Sequence, residues 1–239
     1  MKSAETAAPL PMYLQIAELL ARQIKAGHWH RGERLPTEAA LAQRLGVAVG
    51  TLRKALALLA QQGVLERIQG SGTYVRKTAG TGQIYELFRL ELTTGPGLPT
   101  ARVLEVVRVP RPPSVPPIDA SVRSLLWRIR RLRLLSQVPV ALEEIWFSAS
   151  RLKDLTAAQL GDSMYLFYQQ RLQLSIARVE DRIGARAAPP WASPPFGLAP
   201  GDVGGFIERL SWTAGNELAE YSHTWFDPAV CRYCSRLSQ

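Results

Sequence analysis

The chain has 239 residues, of which 46% are hydrophobic and 21% charged, so its composition is that of a globular protein and excludes a disordered one. Its formal net charge of +9 favours an acidic partner. No apolar run approaches the ~20 residues of a membrane-spanning helix, and the N-terminus lacks the apolar core of a signal peptide. We therefore expect a cytoplasmic protein with no membrane partner.

The basic excess lies mainly in the N-terminal third. Residues 1–77 hold 11 Lys and Arg against 5 Asp and Glu, whereas residues 78–239 hold 18 against 15. A polyanion such as nucleic acid is the expected partner of so basic a segment. Charge alone does not separate this interpretation from an ordinary basic protein, so the motifs have to decide.

Three helices are predicted in this basic segment. The stretch PMYLQIAELLARQIKAG places apolar side chains on one helical face, and Gly27 is its expected stop. The stretch PTEAALAQRLG is a short second helix with Thr37 as N-cap and Gly46 at its end. The stretch VAVGTLRKALALLAQQG starts a third helix almost at once and ends at Gly63. Two short helices joined by a tight turn are typical of a helix-turn-helix.

The stretch IQGSGTYV, which comes after the third helix, has two interpretations. Gly70-Ser71-Gly72 could cradle a phosphate, but a phosphate loop leads from a strand into a helix whose N-terminus faces the anion. Here β-prone residues stand on both sides of the glycines, which predicts a hairpin. A basic hairpin behind a helix-turn-helix is a wing, and its basic residues are Arg67, Arg76 and Lys77.

The order of these elements indicates double-stranded DNA as the partner. The third helix would lie in the major groove with its first turn on the base edges, and the wing would approach the sugar-phosphate backbone. Any three-helix bundle exposes some Arg and Lys, but the ordered set with a basic wing favours DNA binding. The candidate DNA-binding residues are Arg34, Thr37, Arg44, Val49, Gly50, Thr51, Arg53, Lys54, Gln69, Gly70, Ser71 and Gly72.

The segment LPTEAALAQRLGVAVGTLRKALALLAQQGVLERIQGSGTYV closely resembles the winged helix of GntR-family transcription regulators. The resemblance implies a DNA-binding domain over residues 10–77. Thr51 and Arg53 match the family pattern, whereas Ala39 and Val49 stand where members usually carry arginine. A bidentate arginine–guanine contact is worth roughly 1–3 kcal/mol of discrimination, so these two departures leave the operator sequence open.

The pattern changes after a Gly- and Thr-rich linker at residues 78–83. Most of the remaining chain is strand-like and is divided by proline-rich loops, while RLKDLTAAQLG and SMYLFYQQRL read as short helices. The stretch RRLRLLSQVPVALEEIWF reads as a hairpin that turns at Ser136-Gln137. Residues 84–239 are therefore predicted to form a domain around an antiparallel sheet, which makes the whole chain α+β.

The stretches RRLRLLSQVPVALEE, DSMYLFY and LAEYSHTWFDPA resemble the UTRA domain of the HutC subfamily within the GntR family. This domain is similar in fold to chorismate lyase and binds small ligands, often phosphorylated sugars or organic acids. The resemblance implies that residues 84–239 bind an effector and dimerise. Carried over one position at a time, the family's ligand positions are Arg131, Arg133, Glu143, Ser163, Tyr165, Glu220 and Phe226.

The arginine pair in the predicted strand supports such a site. Arg131 and Arg133 are two residues apart on a strand, so their side chains share a face. Two adjacent guanidiniums repel each other unless an anion or a carboxylate joins them. Two interpretations remain: an anion pocket, or simple pairing with Glu143 or Glu144 across the hairpin. Solvated side chains are expected on the opposite face, at Arg128 and Arg130.

No metal or cofactor is expected. The single CxxC of Cys231 and Cys234 lacks a second pair, and His28 with His30 lacks a third ligand. An enzyme of the chorismate lyase type would have His223 as its one histidine in the sheet domain, with no nucleophile–base set around it.

The sequence therefore predicts a ligand-responsive transcription regulator rather than an enzyme. We expect a homodimer on a palindromic operator, because one short reading head gives little specificity and two-fold proteins match palindromic sites. The expected mode is repression of a catabolic or transport operon, relieved by a small anionic metabolite. The alternatives are a chorismate lyase-like enzyme and a DNA-binding protein that responds to no ligand.

Overall fold

A computed structural model of the chain describes residues 11–25, 28–76, 89–95, 97–118, 125–192 and 194–235. The expected helix stop Gly27, the wing residue Lys77 and the linker at residues 78–83 lie outside these ranges. The chain divides into two compact units, built mainly on Leu10–Arg89 and on Leu90–Arg232. No helix in the described part of the chain is long and apolar enough to cross a bilayer.

The N-terminal unit contains the three predicted helices, with bounds α1 Met12–Lys25, α2 Glu38–Leu45 and α3 Val49–Gln61. Thr37 caps α2, because its hydroxyl accepts a hydrogen bond from the backbone N–H of Ala40. Gly46 ends α2 with a φ of 65°, a left-handed conformation that favours glycine. The apolar faces of the three helices bury one core, which includes the fully buried side chains of Ile16, Leu20, Leu41, Leu52, Leu56 and Leu59.

The wing is an antiparallel hairpin of β1 Leu65–Ile68 and β2 Gly72–Val75. Gly70 in its turn has a φ of 77° and Gly72 a φ of 138°, so both glycines occupy conformations that other residues rarely adopt. The segment before α2 extends this small sheet, since the backbone N–H of Leu35 donates to the Thr73 carbonyl at 2.8 Å. The prediction of a wing is confirmed.

The C-terminal unit is built on a six-stranded antiparallel sheet with the order β4-β5-β6-β9-β8-β7. The strands are β4 Pro99–Pro110, β5 Leu125–Leu135, β6 Val138–Ser148, β7 Ile176–Ala187, β8 Val203–Thr213 and β9 Leu218–Phe226. A two-stranded sheet pairs β3 Leu90–Leu92 with β10 Cys231–Tyr233. Ser136 and Gln137 form the predicted β5–β6 turn with φ values of 48° and 67°. Both values suit the mirror-image turns that connect twisted strands.

One α-helix, α4 Met164–Leu172, packs on the sheet and confirms the helix predicted at SMYLFYQQRL. The prediction of a helix at RLKDLTAAQLG is wrong. This stretch is mostly irregular: a 3-10 turn at Ala149–Arg151 ends at its first residue, and a second 3-10 turn spans Ala157–Gln159. Its apolar side chains are anchors on the sheet rather than a helical stripe, because Leu155 and Leu160 join the core under α4. β10 was not predicted, since CRY is too short to show an alternating pattern.

Different parts of the chain pack on the two faces of the large sheet. We call the helix face the side on which Ile129, Ile145 and Phe147 pack with Phe167 and Tyr168 of α4. The other side is the loop face. It packs at one end against Val115 and Ile118, and at the other end against Ala188, Ala192 and Phe196. Cross-strand partners share a face, so the strand register assigns every polar side chain of the sheet to one side or the other.

Candidate functional site

The first turn of α3 presents an exposed surface. Val49 is 38% exposed although it is apolar, and Gly50 adds no side chain beside it. Thr51 is half-buried, whereas Arg53 and Lys54 are exposed. A helix that offers a small, partly apolar first turn flanked by cations has the form that enters a major groove.

Glu38 at the start of α2 links this turn to the wing. Its Oε2 accepts a hydrogen bond from Arg53 Nε at 2.9 Å, and its Oε1 lies 3.4 Å from Arg67 Nη2. Arg67 also donates to the Arg53 carbonyl at 3.4 Å. The side chains of Glu38, Arg53 and Arg67 are only partly buried, so these ion pairs add little to the stability of the fold. Their main effect is to orient the two arginine side chains. This network fixes where the Arg53 guanidinium lies before any DNA arrives.

The wing turn and the segment before α2 lie together. Gln69 and Gly70 are exposed, while the Ser71 hydroxyl lies 2.6 Å from the Tyr74 hydroxyl. The exposed Arg34 runs beside Gly72, where a side-chain carbon added to the glycine would lie 2.8 Å from Arg34 Nε. Arg44 is exposed near the end of α2, and Thr37 caps that helix. Every candidate DNA-binding residue lies within this N-terminal unit, although Thr37 has a structural task as well.

The predicted arginine pair lies buried on the helix face of the C-terminal unit. Arg131 is 3% exposed and Arg133 4% exposed, and both reach Glu143 on the neighbouring strand. Arg131 Nη2 lies 2.6 Å from Glu143 Oε2, and Arg133 Nε lies 3.6 Å from Glu143 Oε1. Both guanidiniums also donate to the carbonyl of Asp162, at 3.4 Å and 2.6 Å. The structure therefore contains the simple pairing, with Glu143 as the partner.

Ser163 and Tyr165 approach the same region from α4. Ser163 caps the helix through a 3.3 Å hydrogen bond from the Leu166 N–H to its hydroxyl. The Tyr165 hydroxyl lies 3.4 Å from the Ser211 hydroxyl, which donates to Glu220 Oε1 at 3.3 Å. Tyr168, which was not among the predicted residues, donates to the other oxygen of Glu220 at 2.6 Å. One buried chain of hydrogen bonds thus connects α4 to strands β8 and β9.

A third arginine completes the cluster and was not predicted. Arg209 on β8 forms a two-point ion pair with Asp181 on β7, with both N–O distances at 2.6 Å. Its Nη1 donates to the Tyr165 hydroxyl at 3.4 Å. Alternation along GGFIERLSWT places Arg209 on the same face as Ser211, so the strand pattern contained a signal for both residues.

Arg131, Arg133, Arg209, Glu143, Asp181 and Glu220 form what we call the arginine–carboxylate cluster, in which burial and charge shift pKa values in opposite directions. Burial alone would raise the pKa of Glu143, but the Arg131 and Arg133 guanidiniums outweigh it and lower that pKa below its ordinary value. Burial raises the pKa of Glu220, although the hydrogen bond from Tyr168 opposes the shift. Burial and the nearby Glu220 raise the pKa of Tyr165 to about 12, so its hydroxyl stays a donor. Two carboxyl groups of the cluster therefore differ in acidity, with the pKa of Glu143 lowered and that of Glu220 raised.

Phe226 forms an apolar part of the helix face. It is 7% exposed, and its ring lies directly over Gly205 on the next strand, where no larger residue would fit. The register places it two strands from Arg133, with Ala141 between them. The structure therefore brings Arg131, Arg133 and Glu143 into direct contact and links Tyr165 to Glu220 through Ser211. Ser163 lies beside the shared Asp162 carbonyl, and Phe226 occupies the same face at one end.

The loop face is not the solvated surface expected for Arg128 and Arg130. Their side chains are 24% and 21% exposed and pair with Glu105 and Glu144. Arg130, Glu105 and Glu144 belong to a row that crosses all six strands in register and continues through His223, Glu208 and Arg182. The expectation failed because long loops cover this face, a feature that strand alternation does not report.

His223, the only histidine of the sheet, lies inside this covered face. The ring centroid of His223 lies 5.0–5.6 Å from those of Trp146, Phe206, Tyr221 and Trp225. Trp146 also packs against Tyr221, and Phe206 against Trp225, at centroid distances of at most 5.7 Å. Burial and the Arg186 charge lower the pKa of His223 to about 4.

Cys231 is a buried thiol and Cys234 a partly buried one. Among the described residues, no three His, Cys, Asp or Glu side chains lie close enough together to hold a metal ion.

Two families match the chain. Residues 12–75 match "Bacterial regulatory proteins, gntR family", and residues 97–230 match the UTRA domain. The HTH-type transcriptional regulator SmoD of Agrobacterium fabrum is 46% identical over 97% of this chain and 98% of its own length. The mannosyl-D-glycerate transport/metabolism system repressor MngR of Escherichia coli is 34% identical over 72% of this chain and 73% of its own.

Solved structures show the same fold. YydK of Bacillus subtilis, a possible transcriptional regulator, aligns over 95% of this chain and 99% of its own, with a TM-score of 0.55 at 20% identity. PhnF of Mycobacterium smegmatis aligns over 93% and 99%, with a TM-score of 0.51 at 17% identity. The predicted α+β fold and the resemblance to the HutC subfamily are confirmed. The chain belongs to the GntR family of bacterial regulatory proteins and is a DNA-binding, ligand-responsive transcription regulator with a UTRA domain, not an enzyme.

Proposed function

We propose that residues 10–77 bind a palindromic operator through α3 and the wing. The exposed first turn of α3 supports this role, because Thr51 and Lys54 can meet phosphates while Arg53 is already oriented by Glu38. Val49, at 38% exposure, suits contact with a thymine methyl group where relatives carry arginine. Arg34, Arg44 and the wing residues 69–72 would contact the backbone on either side.

The arginine–carboxylate cluster of residues 84–239 is the proposed effector site. Arg131 and Arg133 share one carboxylate, Glu143, so two cations are held by a single anion before a ligand arrives. An effector anion would join them beside the capped start of α4 at Ser163, a position that the helix dipole also favours. The sharing of one carboxylate by two buried arginines is the observation that supports an anionic ligand.

The polar chain at the other end suits hydroxyl groups. Tyr165, Ser211 and Glu220 offer donors and acceptors within one connected network, and Phe226 offers an apolar wall. A small molecule with an anionic end and neighbouring hydroxyls fits both halves. A phosphorylated sugar or a polyhydroxy organic acid has this chemistry, and the mannosyl-D-glycerate in the name of MngR is such a compound. No cofactor is needed for this role.

The regulatory mode comes from combining the two sites. We expect a cytoplasmic homodimer, since chromosomal DNA is the partner and two reading heads are needed for specificity. The effector would act through the linker at residues 78–83 and change the spacing of the two heads, which releases the operator. Repression of a catabolic or transport operon is the expected result, in line with the repressors among the relatives.

The test has two arms. Footprinting on the promoter region of the chain's own operon should show protection over two half-sites related by a dyad. A thermal-shift screen of sugar phosphates and hydroxy acids should then raise the melting temperature with a subset of the compounds. Absence of protection would contradict DNA binding at this operon. Protection without any ligand effect would favour the alternative of a DNA-binding protein that responds to no ligand.

A further inference from the structure

The two edges of the large sheet differ in their protection. On β4, proline stands at both ends and a register shift interrupts the pairing between Val103 and Glu105. The outward side is also engaged, because the Ala101 N–H donates to Asp162 Oδ1 at 2.8 Å. Prolines, bulges and covering loops are the means by which proteins block unwanted strand pairing. The β4 edge is therefore closed.

The β7 edge is less protected, because its one register shift against β8, between Ile176 and Arg178, lies at the start of the strand. Residues Arg178–Ala187 pair with β8 in unbroken register and contain no proline. Within the described residues, β7 pairs with β8 alone. Ile183 is 54% exposed on this strand, and Val203 is 69% exposed beside its end. A long strand edge with exposed apolar side chains is a surface that a folded protein normally covers.

We propose that a second copy of this chain covers the β7 edge by antiparallel pairing of β7 with β7, which rests on the homodimer of the proposed function and deepens it. A two-fold axis perpendicular to the sheet keeps each face continuous, so each residue meets a partner residue of the same parity. With the axis at Ile183, the two Ile183 side chains meet and both lose exposure to water. The pairing extends over residues 179–187 of each copy.

The charges along β7 favour the register with the axis at Ile183 over the neighbouring registers. With the axis at Ile183, Glu180 meets the partner's Arg186 on the loop face, twice per dimer, and no like charges meet. Moving the axis to Gly184 sets Arg182 against the partner's Arg186, and moving it to Arg182 sets that residue against itself. Moving it to Asp181 sets two aspartates together. Opposite charges across strands stabilise pairing and like charges oppose it. The side chains of Glu180 and Arg182 are 43% and 60% exposed and pair with each other at 2.9 Å. The contact between Glu180 and the partner's Arg186 therefore forms in exchange with, or beside, this exposed pair.

The proposed interface also touches the effector site. Asp181 lies on β7 and holds Arg209 of the arginine–carboxylate cluster through two 2.6 Å contacts. An effector that moves Arg209 would therefore act on the strand that joins the two copies. This gives the effector a short physical route to the geometry of the dimer.

Charge reversal in the full-length chain tests the interface by sedimentation equilibrium. Glu180→Arg and Arg186→Glu should each weaken dimerisation by roughly tenfold or more, because each variant sets two like pairs across the axis. The double variant Glu180→Arg/Arg186→Glu should recover most of the loss. Ile183→Lys should weaken the dimer as well, whereas Leu104→Lys, an exposed residue on the β4 edge, should leave it unchanged.

Thermal melting of each variant confirms that the chain stays folded. A dimer that all variants leave intact would overturn the β7 interface while leaving the homodimer of the proposed function standing. A single reversal that weakens the dimer without rescue in the double variant would also overturn the pairing of Glu180 with Arg186. A wild-type chain that is monomeric at micromolar concentration, with and without operator DNA, would overturn both.

Discussion

Arg131 and Glu143 are cross-strand neighbours whose side chains form a buried ion pair, with Arg131 Nη2 2.6 Å from Glu143 Oε2. The same carboxylate also serves Arg133, so one internal anion compensates two cations. An external anion can reach these guanidiniums only in exchange with, or in addition to, Glu143. In the proposed effector site, the response to an anion would therefore depend on Glu143 even if this residue does not touch the ligand.

Replacing Glu143 by glutamine should expose this dependence. Removing one partner of a buried ion pair leaves uncompensated charge, so we expect a loss of about 3 kcal/mol in the free energy of unfolding. Inorganic phosphate should restore more stability to Glu143→Gln than to the wild type, because it replaces the missing anion. Urea denaturation with and without phosphate measures both effects.

The matched control is Glu144→Gln. Glu144 pairs with Arg130 on the loop face, away from the proposed effector site. Phosphate should stabilise this variant no more than it stabilises the wild type. Equal recovery of both variants would mean that phosphate acts on general charge rather than at Arg131 and Arg133.

Glu220 should give stability an unusual pH dependence. Burial raises its pKa above the ordinary 4.5, so the folded chain keeps a proton that the unfolded chain releases. The stability from this group is fully present below the unfolded pKa and is lost as the pH rises through the folded pKa. Glu143, with its lowered pKa, behaves oppositely and loses its contribution as the pH falls through its folded value.

A comparison of wild type with Glu220→Gln separates the two carboxylates. Since the variant does not titrate at position 220, the difference in the free energy of unfolding should shift against the wild type as the pH rises above 4.5. Urea denaturation from pH 4 to 8 provides the curves. Parallel curves throughout would contradict a raised pKa for Glu220.

The two wing glycines should differ in their tolerance of substitution. An added side-chain carbon at Gly70 meets open space, whereas at Gly72 it lies 2.8 Å from Arg34 Nε. Gly70→Asn keeps the left-handed conformation at little cost, but Gly72→Ala combines a φ of 138° with displacement of Arg34. We expect roughly tenfold weaker operator binding for Gly72→Ala and a small change for Gly70→Asn, measured by fluorescence anisotropy. Effector binding should not change in either variant, and the reverse ranking would contradict these roles of the two glycines.

Glu38 is expected to act through Arg53. Glu38→Ala releases the guanidinium that the carboxylate holds at 2.9 Å, and it also removes a negative charge from the proposed DNA-binding surface. Operator binding should therefore weaken a few-fold while binding to unrelated DNA is unchanged or slightly stronger. Glu66→Ala on the exposed wing strand removes the same charge and is the control. If both variants gave the same change on operator DNA, Glu38 would have no role in positioning Arg53.

Most of the N-terminal fold could be predicted from the sequence, because its signals are local. Thr37, Gly46 and Gly63 mark helix ends, and Gly70 with Gly72 marks a turn that requires positive φ. Most of the C-terminal strands were also predicted, although the short β10 was not. The stretch RLKDLTAAQLG was misread as a helix because its leucines serve as anchors for an irregular segment on the core.

The arginine–carboxylate cluster could be predicted only in part. Arg131, Arg133 and Glu143 are joined by a short hairpin, so register is set by the turn. Arg209 with Asp181 depends on pairing between strands separated by a long loop, and nothing local specifies that register. The cover over Arg128 and Arg130 comes from loops distant in sequence, which explains why both were expected to be solvated.

The most direct test measures operator affinity by fluorescence anisotropy, on a labelled fragment of the chain's own promoter region, while metabolites are added at constant salt. The probes are glucose 6-phosphate, inorganic phosphate and D-glycerate, applied to wild type and to Arg131→Lys, which keeps the charge but loses the two-point geometry. We predict that at least one sugar phosphate or hydroxy acid changes wild-type affinity about tenfold and has little effect on the folded variant. An equal response in both proteins, or operator binding that no such anion alters, would contradict an effector site at the arginine–carboxylate cluster.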